Sequence, residues 1–422
     1  MIHQIKPEAF EQFISQRAFK PGDTLQLEAG GVYPGFRLEE VRGLDITAPA
    51  EGALIQGGEG HGLVLEGCED ITVSNLRFVG AGRKYHNRQG VGLLVLGGRG
   101  ITVQDCTASG FQRGGFEARG VSQLRFERLK AHDNGYAGIH VTQGEQGGWS
   151  QDVTITHCSA VNNPGDPQVT ANHSGNGIVL YYTQDALVEY CDASYNGWDM
   201  NNSRFNGPVG IWCANTHRAV FRYCLSHDNR TQWSKTDGGG FDFDGGTRDC
   251  LIEYCYSYDN AGAGYMFCQY VNAAELSGNT IRYSTSFNDG SAYHKSALYL
   301  YDCGSQSLAE GGQFYRNLLY NSDGRDLVRG HIDATFIREN LMLLSGEGKF
   351  FRHETDDDNL QYRGPERQQW GKVVYENNRE VHLEGQHVES SLRQLADYPR
   401  IQSAQELPAY FEQLGLEDLE LG

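Results

Sequence analysis

Along most of the chain, apolar and polar residues alternate in short runs that end in glycine or asparagine. Strands opening on a small residue recur as GLVLEG (62–67), GLLVLGG (92–98), GFEARG (115–120), GIHVTQ (138–143), GIVLYY (177–182), GIWCAN (210–215), GFDFDG (240–245), GYMFCQ (264–269) and ALYLYD (297–302). Their first residues lie 23 to 39 positions apart. Each is followed by a second short strand, as in LVEYCDASYNG (187–197), VFRYCLSHDN (220–229) and LIEYCYSYDN (251–260). Period-two alternation predicts strands. A repeat of this length with no helical periodicity between copies predicts a solenoid of strands, stable only when the copies stack.

The stacking makes specific claims. Cys191, Cys224 and Cys255 fall at equivalent places and should form an inner column. Asn134, Asn163, Asn196, Asn229 and Asn260 should form a ladder at a turn, where Asn tolerates the left-handed conformation. Residues 1–20 carry a helical pattern expected to cap the N-terminal end, and 21–345 form the solenoid. Residues 346–388 read as irregular last coils and 389–422 as a C-terminal helical cap. The fold class is all-β, a parallel β-helix with short helical caps.

Composition narrows the function. No apolar run approaches the ~20 residues that span a bilayer, and residues 1–20 show no signal peptide. The expectation is cytoplasmic if Met1 is the native start, and secreted or periplasmic if the chain is a mature form. A net charge of −19 argues against nucleic acid and anionic membranes as partners. The ten cysteines form no CxxC pair, so buried thiols are expected rather than disulfides.

These coils resemble the right-handed parallel β-helix of the pectin-lyase-like superfamily over roughly residues 20–345, and the opening PGDTLQLEAGGVY resembles the first coil of such proteins. The resemblance implies a carbohydrate-active protein with its site on one face of the solenoid. It does not single out one enzyme family.

The chemistry concentrates in Asp237-Gly-Gly-Gly-Phe-Asp-Phe-Asp-Gly-Gly246. On a strand, Phe241 and Phe243 point into the core while Asp242 and Asp244 stand side by side in solvent. The flanking glycines are read as leaving the carboxylates open to a ligand. Aligned repeats place Glu117, His140, Trp212, Asp242 and Tyr299 in one outward row and Arg119, Tyr181, Asp244 and Tyr301 in a second. Aromatic rings beside carboxylates suit sugars. Glu117, Arg119, His140, Tyr181, Trp212, Tyr265, Tyr299 and Tyr301 are the expected substrate contacts. His227 and Lys235, close before the acidic strand, join the three Asp as catalytic candidates.

Two mechanisms fit. Residues i and i+2 on a strand are ~6.6 Å apart at Cα, which suits an inverting glycosidase with Asp242 and Asp244 as acid and base. This reading is slightly favoured. TDGGGFDFD also distantly resembles the Asp-rich calcium coil of β-helix pectate lyases. That resemblance implies Ca²⁺ on Asp237, Asp242 and Asp244, with Lys235 or Lys295 as the base of a lyase or C5-epimerase acting on a uronate polymer. The doubled Asp of that family is not kept, since Gly238 follows Asp237. A third reading is a carbohydrate-binding β-helix without chemistry. The partner in every case is a poly- or oligosaccharide.

Overall fold

The computed structural model describes residues 1–16, 18–84, 89–201, 206–231, 237–270, 272–292, 296–302, 307, 309–354, 372–384, 388–397 and 400–418. Among them the strands wind into a solenoid in which the strands pair in parallel, each bonded to the strand one coil away. A 14-stranded sheet and a 12-stranded sheet form two faces. The third face consists of two six-stranded sheets, joined through Asp192 by the single-residue bridges Ser159–Asp192 and Asp192–Leu225.

Inward side chains of all faces form one continuous core running from Ile5 to Leu344. Cys158, Cys191, Cys224 and Cys255 stack within it as fully buried thiols. Among the described cysteines no disulfide forms and only Cys268 is partly exposed; Cys303 lies outside the described residues. Before each of the last three cysteines in that column stands a tyrosine at the corner, and Tyr190, Tyr223, Tyr254 and Tyr283 all have φ between 49° and 53°. Their rings stack at 5.2, 5.2 and 5.4 Å.

The asparagine ladder forms. Asn134, Asn163, Asn196 and Asn229 each donate through Nδ2 to Oδ1 of the next asparagine at 3.0–3.1 Å. The left-handed residue is the one before each: Asp133, Asn162, Tyr195, Asp228 and Asp259 carry φ of 51–58°. The ladder asparagines themselves turn inward, and this explains the repeated glycine. A Cβ on Gly210 would stand 2.0 Å from Ser226 Oγ and 2.7 Å from Asn229 Nδ2. On Gly240 it would stand 2.2 Å from Ser257 Oγ. Gly240 therefore makes room for the ladder inside the coil, and not for a ligand outside it.

At the N-terminus, Ile2–Ile5 is a strand paired with Asp23–Leu27, and the helix Pro7–Gln16 buries Phe10 in the core. At the other end, the helices Ser390–Ala396 and Leu407–Leu414 lie along the side of the second six-stranded sheet. There Leu392, Leu407, Tyr410 and Phe411 pack on Leu225, Tyr256, Phe287, Leu318 and Leu341. Among the described residues no helix is long and apolar enough to cross a membrane.

Candidate active site

The 12-stranded sheet sets out the two outward rows as the alternation predicts. The first pairs Glu117 with His140, His140 with Val179, Val179 with Trp212, Trp212 with Asp242, Asp242 with Met266, and Met266 with Tyr299. The second runs through Arg119 and Thr142, Tyr181 and Ala214, Asp244, then Cys268 and Tyr301.

Depth separates the rows. Every first-row residue from Glu117 to Tyr299 is buried, at most 5% exposed. Trp212 donates through Nε1 to Asn176 Oδ1 at 3.1 Å and carries the His173 ring edge-on at 5.4 Å. Tyr136 packs on His140 at 5.3 Å. Glu117, His140, Trp212 and Tyr299 thus form a layer beneath the surface, because side chains from the corners fold over this row. Asp242, expected in solvent, is 3% exposed. The second row is the open one, and Arg119, Tyr181, Asp244, Cys268 and Tyr301 are each partly exposed.

Asp244 sits midway along a row reading Tyr181, Ala214, Asp244, Cys268, Tyr301. Stacked strands lie ~4.8 Å apart, so the two tyrosines stand about 19 Å apart at Cα. Ala214 and Cys268, on the coils either side of Asp244, are smaller than the two tyrosines, and this difference in side-chain size defines a notch at the carboxylate. One wall is Tyr181, whose hydroxyl is 3.5 Å from that of Tyr270; Asn215 Nδ2 donates to the Tyr270 hydroxyl at 3.3 Å. The other wall is Tyr301, stacked on Tyr299 at 6.1 Å. Tyr270 and Asn215 were missed from sequence, although Tyr270 continues the alternation through Met266 and Cys268.

The carboxylates interact strongly. Burial, then the charges of Asp244 and Asp237, push Asp242 well above the usual carboxylate range. Burial pushes Asp244 up to about 7, against hydrogen bonds from the Gly245 N–H and the Cys268 thiol, with the Asp237 charge adding to the rise. Gly245 donates to Asp244 Oδ1 at 2.8 Å. Asp237, partly exposed, accepts from the Gly207 N–H at 2.7 Å. One donor atom each from Asp242, Asp244 and Cys268 lies within 4.8 Å of the others. That is short of the ~6.5–9.5 Å of an inverting pair, because the two side chains converge from their Cα spacing.

Arg113 and Arg119 both donate through Nε to Glu117, at 2.7 Å each. Burial alone would raise the Glu117 pKa, but His140 and the two guanidiniums outweigh it and hold the carboxylate ionised. Burial keeps His140 below its ordinary value.

Two candidates lie elsewhere. Tyr265 points into the core, stacked on Phe241 at 5.3 Å, and its hydroxyl donates to the Cys255 carbonyl at 2.8 Å. It belongs to the inward phase of its strand. His227 is on the strand Leu225–His227 of a six-stranded sheet, a different face, where its ring stacks on Tyr258 at 4.3 Å and its Nδ1 is 2.9 Å from Asp228. The chain turns a corner between His227 and the acidic strand, so nearness in sequence does not bring the two together. Lys235 and Lys295 lie outside the described residues.

The family model "right handed beta helix region" matches residues 50–197 and 91–281. No curated protein matches the sequence. Among solved structures, the chain is similar to a GH136 lacto-N-biosidase from Eubacterium ramulus, with 20% identity, a TM-score of 0.51, and coverage of 88% of this chain and 63% of that one. For the Dettilon tailspike protein the figures are 11%, 0.58, 79% and 62%. For PfbA, a surface adhesin of Streptococcus pneumoniae, they are 9%, 0.53, 77% and 83%. The chain spans less than two thirds of the length of the first two. At such identities the likeness is one of fold.

Proposed function

The chain belongs to the right-handed β-helix family, and from that scaffold we propose that it hydrolyses a glycosidic bond of an oligo- or polysaccharide in the notch around Asp244. The observation that carries this reading is a carboxyl at the centre of a tyrosine-walled row, flanked by small residues and backed by two more acids. A sugar ring offers apolar CH faces to Tyr181 and Tyr301 and its linkage oxygen to Asp244. Similarity to a lacto-N-biosidase agrees with this chemistry, although a tailspike and an adhesin share the fold.

Among the three acids, Asp237 and Asp244 are the partly exposed ones. They are therefore the acid and base of hydrolysis, with Asp244 the acid because burial favours its neutral form. Asp242 lies one layer down and acts on substrate through Asp244. The calcium-dependent lyase reading is weaker, because Ca²⁺ takes six to eight oxygen ligands whereas the cluster here joins two carboxylates to a thiol.

The test is a panel of oligo- and polysaccharides read together for new reducing ends and for unsaturated-uronate absorbance. New reducing ends with no absorbance change are expected. Rising absorbance would replace hydrolysis with elimination, and binding without turnover on the whole panel would leave a carbohydrate-binding protein.

A further inference from the structure

Asp242 Oδ1 is fully enclosed and has no hydrogen-bond partner, in a residue 3% exposed. A buried carboxylate oxygen left without a donor is unfavourable, and either a proton or a cation relieves it. Asp242 comes from the strand Gly239–Phe243, Asp244 follows that strand directly, and Cys268 comes from the neighbouring strand Tyr265–Gln269. Their donor atoms lie within 4.8 Å of one another. Among the described residues, this is the one group of three or more His, Cys, Asp or Glu side chains that converges in this way.

The donor set decides which cation fits. Calcium favours six to eight hard oxygens and has no use for a thiol. One thiolate with two carboxylates suits Zn²⁺ and its softer relatives, which bind at ~2.3 Å to sulfur and ~2.0–2.2 Å to oxygen in a tetrahedral shell. We propose that Asp242, Asp244 and Cys268 form a site for one thiophilic divalent cation, and that its occupancy blocks the notch. Each donor needs to move by only about 1 Å to close around the ion.

The fourth position faces the notch and takes water. The Gly245 N–H already orients Asp244, the kind of outer contact that fixes a ligand carboxylate. On binding, the sulfur–hydrogen bond is replaced by a sulfur–metal bond, and the thiol proton, with any carboxyl proton, passes to solvent. No electron changes hands. The cation occupies the carboxylates that the hydrolysis uses, so it acts as an inhibitor. That inhibitory half rests on the hydrolase reading, whereas the binding half does not.

The test uses the full chain, stripped with chelator, and the metal alone. Zn²⁺ followed by calorimetry is expected to bind one per chain. Co²⁺ in its place is expected to give thiolate-to-metal charge-transfer absorption in the near ultraviolet. Cys268→Ser should abolish that absorption and weaken Zn²⁺ by at least the ~10–100-fold that even an outer-shell change costs. Asp242→Asn, nearly isosteric, gives an independent loss should the Ser variant fail to fold. No binding, binding without the thiolate band, or unchanged affinity in both variants would overturn the site. With an active substrate in hand, Zn²⁺ should lower turnover of the wild type and chelator should restore it. Binding without inhibition would overturn the regulatory half alone, and silence on every substrate would count against hydrolysis while leaving the metal measurements decisive.

Discussion

Asn260 donates through both its Nδ2 and its backbone N–H to Oδ1 of Asp289, at 2.8 and 3.0 Å. Asp289 thus takes the place of an asparagine as the next rung of the ladder. It is fully buried, and Ser286 donates to its other oxygen at 2.6 Å. In the two rungs before it the serine has the opposite role, and Ser226 and Ser257 accept from Asn229 and Asn260 at 3.0 Å. A side-chain amide would fit this rung as it fits the others.

Burial raises the Asp289 pKa to about 6, against its hydrogen bonds. A raised folded-state pKa means that the proton is held more tightly in the folded chain, so ionisation opposes folding. Stability from this group is complete below about pH 4 and is lost as the pH rises through about 6. Asp289→Asn should therefore raise stability by about 3 kcal/mol at pH 8 and change it little at pH 4. Denaturant unfolding at both values checks this. An equal gain at the two pH values would rule out the ionisation argument.

The coil repeat, both outward rows and the asparagine ladder were legible in the sequence, because parallel stacking in register turns a strand pattern directly into columns. Depth was not legible. Nothing in the alternation of Trp212 and Asp242 tells that residues such as Tyr136 and His173, far along the chain, fold over their row. Tyr265 shows a lesser failure, since its neighbour Met266 already marked the outward phase. His227 shows that a few residues of separation mean little in a solenoid, where a corner moves the chain to another face.

Asp244→Asn keeps shape and removes the proton that hydrolysis needs at the centre of the notch. It should cut kcat by about 10²–10⁴-fold, the usual worth of a positioned acid or base, with the thermal transition intact. Asp237→Asn should fall in the same range. Full turnover in either variant, measured by reducing ends on the best substrate of the panel, would remove that residue from the chemistry.

Tyr181 and Tyr301 wall the notch on opposite sides of Asp244, and neither carries a reacting atom. Replacing either by Ala should raise KM more than it lowers kcat, with the loss of stacking worth roughly 1 kcal/mol, or about fivefold in KM. Product profiles from a longer oligosaccharide separate the walls further, because each ring supports sugar residues on one side of the cleaved bond only. An unchanged KM in both variants would show that the substrate lies along another line.

Glu117 is completely buried, and its two oxygens pair with Arg113 and Arg119 at once. Arg113 is also held over the Tyr136 ring at 5.0 Å, and Tyr136 in turn covers His140. Removing the carboxylate leaves two guanidiniums facing each other in a partly buried site, where breaking an ion pair costs ~3–5 kcal/mol. Glu117→Ala should therefore destabilise the chain by roughly that amount. Glu117→Gln should cost less, since its amide oxygen still accepts from one arginine. If Glu117 served substrate binding alone, both variants would keep the wild-type unfolding midpoint and lose only affinity. Chemical denaturation of the two variants beside the wild type separates these outcomes, and the first is expected, because Glu117 lies beneath the open row.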